Sequence, residues 1–151
     1  MSDLMKDPMI LRSIIMDHYE YPRNHELTKE DGYVQKHMAS ESCIDDIYVQ
    51  SRIRDGVVED VRFDGVACTI STASTSIMSE LLRGKSIAQA RESIRNYFAM
   101  IDQQDYDEVM LEEAVAFANV GKQANRIKCA TIGWKAMEEM LAESEENADE
   151  K

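Results

Sequence analysis

IYVQSRIRDGVVEDVRFDGVAC, residues 47–68, is the stretch that decides the fold. Ile47, Val49 and Ile53 alternate with Gln50, Arg52 and Arg54, the period-two pattern of a strand with one buried face. Asp55-Gly56 follows, a dipeptide suited to the left-handed conformations of a two-residue hairpin turn. Val57, Val61 and Phe63, with Glu59 between them, return on a second strand. Cys68 comes directly after that strand, so the hairpin delivers a thiol to a point where the chain changes structure.

Downstream of Cys68, residues Ile70, Ala73, Ile77, Met78 and Leu81 form a helical stripe that Gly84 closes. Ser86 with Gln89 is a capping-box signature for a helix through Ile87, Ala90, Ile94, Tyr97, Phe98 and Ile101. A polar link, 102–107, leads to a short helix expected over 109–120. Ile127, Ala130, Trp134, Met137 and Leu141 mark a last amphipathic helix, with Cys129 in its first turn. Upstream, Ile10, Leu11, Ile14, Ile15 and Tyr19 share one helix face that Pro22 ends. The stretch 26–42 reads as polar and irregular, with a short strand around Tyr33–Val34. The fold class is therefore α+β: a small antiparallel sheet of about three strands packed against four to five helices. A single domain is expected over 1–142, followed by an acidic disordered tail over 143–151.

At 151 residues with 44% hydrophobic composition, the chain can bury a core of its own. Its apolar runs fall far short of the roughly 20 residues that span a bilayer, and no basic-then-apolar leader opens it, so a cytoplasmic location is the default. The net charge of −12 excludes nucleic acid and anionic membrane as natural partners and favours a basic patch on a protein.

Cys43, Cys68 and Cys129 are an odd number of cysteines, and in a reducing compartment disulfides are rare. Inert buried thiols, metal ligands and reactive sulfur are the three readings. Cys68 at a strand-to-helix junction and Cys129 at a helix start favour thiolate chemistry, because helix N-termini lower a thiol's pKa. Three thiolates need a fourth ligand for tetrahedral zinc, and Asp45, two residues after Cys43, can supply it. The wide spacing of the cysteines does not choose between this and buried, inert cysteine.

Four ordered segments add a resemblance. They are Ile15-Met16-Asp17-His18-Tyr19 with Pro22-Arg23-Asn24; Cys43-x-Asp45; Gly65-Val66-Ala67-Cys68-Thr69-Ile70-Ser71-Thr72-Ala73-Ser74; and Arg126-Ile127-Lys128-Cys129-Ala130 followed by Trp134. Together they resemble the U-type iron–sulfur cluster assembly scaffold family over nearly the whole chain. Lys128, where the housekeeping type has histidine, and a longer Cys68–Cys129 interval resemble its SufU-like, zinc-binding branch. The chain differs from the family pattern at Ile44, where glycine is usual between the first cysteine and the aspartate; Asp46 is the neighbouring alternative ligand.

The resemblance implies zinc held by Cys43, Asp45, Cys68 and Cys129, with Cys43 as acceptor of persulfide sulfur and Arg126 in support. It implies a SufS-like cysteine desulfurase as partner, downstream cluster-assembly proteins as recipients, and a sulfurtransferase-like relay as the activity. The alternatives are a scaffold that assembles a transient [2Fe–2S] cluster on the same residues, or a structural zinc-binding homologue without the relay. His18, His25 and His37 are not expected as resting zinc ligands, and His18 is expected at the surface. Asp64-Gly65 reads as turn chemistry, and the ten methionines as core filling.

Overall fold

The computed structural model describes residues 7–39 and 44–149. Helix α1 (Pro8–Glu20) starts where Asp7 accepts the Met9 amide at 2.9 Å, with proline in its first turn. Three antiparallel strands follow, β1 (Tyr33–Ala39), β2 (Asp46–Arg54) and β3 (Val57–Val66), in the order β1-β2-β3. The expected hairpin joins β2 to β3: Asp55 and Gly56 have φ of 52° and 75°, the pair of left-handed residues that a type I′ turn needs. Val49 faces Phe63 across the sheet and Ser51 faces Val61, and all four are buried.

Strand β1 is longer than the sequence suggests. It is an edge strand whose side chains are exposed or half-buried, so it lacks a hydrophobic period and owes its form to backbone pairing with β2. Gln50, expected to face solvent, is buried by the segment before β1, bonding Thr28 and Gln35.

Helix α2 (Thr69–Leu82) is the central element, with every residue from 71 to 79 buried. Its serines and threonines let α1 and the last helix approach closely. Helix α3 (Ile87–Ile101) begins with the expected Ser86/Gln89 capping box. The single helix expected over 109–120 is instead a one-turn α4 (Glu108–Leu111) followed by a 3₁₀ segment (Glu112–Lys122). Glu112, at φ 47°, interrupts the α-helix, and the consecutive burial of Ala114, Val115, Ala116 and Phe117 fits no single helix face.

Helix α5 (Ala124–Asp149) runs past Glu143, where the acidic tail is expected to start; Glu143 pairs with Lys36 of β1 and Glu145 with Arg91 of α3. In the core, Trp134 of α5 stacks on Tyr97 of α3 at 3.8 Å between centroids. Trp134 Nε1 donates to Ser74 Oγ at 2.9 Å, and the Ser74 and Tyr97 hydroxyls both donate to the Ala130 carbonyl, at 2.6 and 2.7 Å. This network fixes α5 against α2 and α3 one residue beyond Cys129. No helix among the described residues is long and apolar enough to cross a membrane.

Candidate metal centre

Cys68 is the N-cap of α2, and its Sγ accepts the Ser71 amide at 3.4 Å. The last residues of β3 carry it there, and Gly65 makes that path open. Gly65 has φ 130°, and a Cβ on it would lie 2.3 Å from the Asp46 carbonyl oxygen. It therefore lies within β3, opposite Ile47, and not in the turn expected of Asp64-Gly65. An isolated glycine inside a strand pattern is the signal that marks such a close approach.

Asp45 is 1% exposed and immediately precedes β2. Its Oδ1 accepts the Cys68 amide at 2.8 Å, and its Oδ2 lies 3.9 Å from Cys68 Sγ. Asp46, the neighbouring alternative, points elsewhere: it is exposed and bonded to His37.

Cys129 is buried and comes from the second turn of α5, since that helix starts at Ala124. This corrects the first-turn placement. The helix N-terminus therefore does little for this thiol. Burial pushes its pKa up, and the neighbouring Cys68 and Asp45 push it further. What brings it to Cys68 is the close packing of α2 on α5 at Gly133, four residues on, where a Cβ would lie 2.6 Å from Thr75 Oγ1.

The ligand atoms of Asp45, Cys68 and Cys129 all lie within 4.8 Å of one another, the one such His/Cys/Asp/Glu group among the described residues. Cys43 lies outside the described residues. Arg126 is exposed in the first turn of α5 with no ion pair among the described residues, and Lys128 is likewise exposed. Ile44 and Val66, 66% and 62% exposed, flank the site with apolar surface.

The three histidines stand apart. His25 meets Phe63 and Asp64, and His37 stacks on Tyr48. His18 is buried, not at the surface, because it shares a helix face with Leu11 seven residues earlier; it bonds Ser76 and Glu113.

Two thiols and a carboxylate brought together, Cys68 half-buried and Cys129 and Asp45 buried, fit a divalent cation, which offsets the cost of ionising them in one place. The donor types are those of zinc, whose 2.3 Å bonds to sulfur set tetrahedral ligands about 3.8 Å apart. Cys43, two residues from Asp45, would be the fourth.

A family model, the NifU-like N-terminal domain, matches residues 11–144. The chain is 36% identical over 137 residues to the zinc-dependent sulfurtransferase SufU of Bacillus subtilis (strain 168), covering 90% of this chain and 92% of that one. It is 32% identical over 133 residues to the iron–sulfur cluster assembly scaffold protein IscU of Streptococcus pyogenes serotype M1, covering 87% and 82%. A crystal structure from Fervidobacterium islandicum AW-1, named as a candidate scaffold protein of the SUF system, superimposes with a TM-score of 0.77 at 29% identity, covering 85% and 93%. The ordered motifs, the sheet-and-helix fold and the matched span agree: this chain belongs to the NifU-like N-terminal domain family, the U-type scaffolds of iron–sulfur cluster assembly.

Proposed function

We propose that this chain serves iron–sulfur cluster assembly by accepting persulfide sulfur from a cysteine desulfurase at a zinc site formed by Cys43, Asp45, Cys68 and Cys129. The convergence of Asp45, Cys68 and Cys129 carries this reading, since the first and last lie 84 positions apart (129 − 45) and the fold unites them. The 36% identity to a zinc-dependent sulfurtransferase over nearly both full lengths supports it.

When bound, zinc supplies a redox-inert charge that keeps cysteine ligands deprotonated. The chain's own residues do the rest. Cys43 is the nucleophile: its sulfur bonds the terminal sulfur of the donor's Cys–S–SH, the donor's S–S bond breaks, and the donor cysteine leaves as thiolate. Cys43 then carries the persulfide, and no outside oxidant or reductant is consumed. Cys68 and Cys129, anchored on α2 and α5, are the ligands that stay. Arg126, at the exposed start of α5, docks or orients the partner. The net charge of −12 steers the chain toward a basic partner surface. Downstream cluster-assembly proteins receive the sulfur, in the reducing cytoplasm where free thiols persist.

The test is desulfurase turnover on cysteine with and without this chain. Turnover should rise with the intact protein and not with Cys43→Ala. An unchanged rate with intact, zinc-loaded protein would overturn the relay. The scaffold reading, which the IscU relative favours, would instead give a stable coloured cluster on anaerobic reconstitution with iron and sulfide.

A further inference from the structure

Two buried hydroxyls of α2, Ser71 Oγ and Thr75 Oγ1, have no hydrogen-bond partner among the described residues. Each is at most 1% exposed as a residue. Buried hydroxyls are nearly always paired, so each calls for a physical explanation. Thr75 has one in packing, since it fills the space left by Gly133 where α2 meets α5.

Ser71 is placed differently. It is the third residue of α2, with Cys68 as N-cap. In a capping box the side chain at this position turns back to the N-cap amide. Here that amide is already held by Asp45 Oδ1 at 2.8 Å. Ser71's own amide donates to Cys68 Sγ at 3.4 Å. A serine hydroxyl in its gauche rotamers lies about 3 Å from its own amide nitrogen, so rotation about one bond brings it to the surroundings of that sulfur. A surplus O–H donor thus lies one rotation from the sulfur that its own amide already bonds, and that sulfur is an acceptor once ionised.

We propose that Ser71 is a positioning residue of the sulfur site, whose hydroxyl donates to Cys68 Sγ when that sulfur is a metal-bound thiolate. The inference rests on the metal-centre reading above. Hydrogen bonds to ionised acceptors are the strong ones, so this donor finds its partner only in the loaded state. With the Ser71 amide it gives Cys68 two donors. Two donors withdraw charge from sulfur and make Cys68 the poorer nucleophile, suited to remain a ligand while another cysteine receives sulfur.

The test uses the full chain, with zinc(II) and cobalt(II) as probes, and compares Ser71→Ala with Thr75→Val. Each substitution removes one unpaired buried hydroxyl, so each should raise the metal-free Tm by a few degrees. Ser71→Ala should also weaken zinc roughly tenfold in competition with a chelator and move the cobalt–thiolate charge-transfer band to longer wavelength. Thr75→Val should leave affinity and band unchanged. Unchanged affinity and band in Ser71→Ala would overturn the inference. So would a fall in its metal-free Tm or a failure to fold, because the hydroxyl is dispensable to the metal-free fold. A wild-type chain that binds neither zinc nor cobalt would remove the metal-centre reading itself, a separate result.

Discussion

The amide of Cys68 donates to Asp45 Oδ1 at 2.8 Å, tying the residue before β2 to the first turn of α2. The bond leaves Oδ2 at 3.9 Å from Cys68 Sγ, so one oxygen serves the fold and the other faces the thiols. Asp45→Asn keeps an acceptor for the amide and loses the charge; Asp45→Ala loses both. The asparagine variant should unfold within about 1 kcal/mol of wild type and bind zinc at least tenfold more weakly, whereas alanine should also cost about 1–3 kcal/mol of stability. Urea denaturation of the metal-free proteins and zinc competition with a chelator measure the two effects. Full zinc affinity in Asp45→Asn would confine the carboxylate to a structural role.

His18 joins three elements. Its Nε2 faces the Glu113 carboxylate at 3.2 Å, which accepts only, so Nε2 donates there. Its Nδ1 lies 2.8 Å from Ser76 Oγ, which itself accepts the Arg23 amide at 2.8 Å. His18→Leu preserves bulk and breaks both bonds. It should lower stability by about 1–3 kcal/mol while leaving zinc content at the wild-type level. A loss of zinc in the folded variant would place His18 in the metal site's support, although its side-chain partners among the described residues are Ser76 and Glu113 and not the three clustered ligands.

What the sequence made legible follows from which interactions leave a periodic trace. Ile47, Val49 and Phe63 alternate because one face of the hairpin is buried, and Asp55-Gly56 announces its own turn. The capping box at Ser86 is equally local. By contrast, α2 is buried almost all round, yet Ser71, Ser74, Thr75 and Ser76 read as polar, so its central place left no pattern. Gly65, isolated inside a strand pattern, carries a trace of its close approach, whereas Gly133 matters for what it does not fill and nothing along its helix says which segment comes near. The convergence of Asp45, Cys68 and Cys129 is likewise a tertiary fact: spacing alone left inert cysteine open, the helix-start reading favoured thiolates, and the ordered motifs decided for a shared site.

Asp60 gives the fold a dependence on acid. It is buried on β3; Tyr33 donates to its Oδ2 at 2.5 Å and Arg62 at 2.7 Å, and Arg83 lies 3.2 Å from Oδ1. Burial alone would raise its pKa, but the Tyr33 hydroxyl and the two guanidiniums outweigh it and hold the carboxyl below its ordinary value. A lowered folded-state pKa stabilises above the unfolded value of about 4, and that stabilisation is lost as pH falls through the lowered one. Asp60→Asn in the metal-free protein should therefore cost about 2 kcal/mol at pH 7, and its deficit against wild type should shrink as pH falls below the unfolded value of about 4. A deficit that stays constant over that range would mean packing, not charge, is what Asp60 contributes.

Gly133 tests whether helix packing sets the thiol separation. A Cβ there would meet Thr75 Oγ1 at 2.6 Å and Cγ2 at 2.9 Å, but Thr75 Cβ only at 3.2 Å. Two effects oppose each other in Gly133→Ala. Alanine is favoured over glycine inside a helix by about 1 kcal/mol, while forcing extra volume into a packed contact costs about 1–3 kcal/mol. The clash should win, lowering stability and, by prying α5 from α2, weakening zinc as Cys129 moves from Cys68. In a Thr75→Ala background the two close atoms are gone and only the Cβ contact at 3.2 Å remains. There Gly133→Ala should be neutral or stabilising, with zinc affinity restored. Denaturation and zinc competition across the four proteins of this cycle give the answer. If Gly133→Ala weakens zinc equally in both backgrounds, the glycine acts on the site by some route other than the α2–α5 contact.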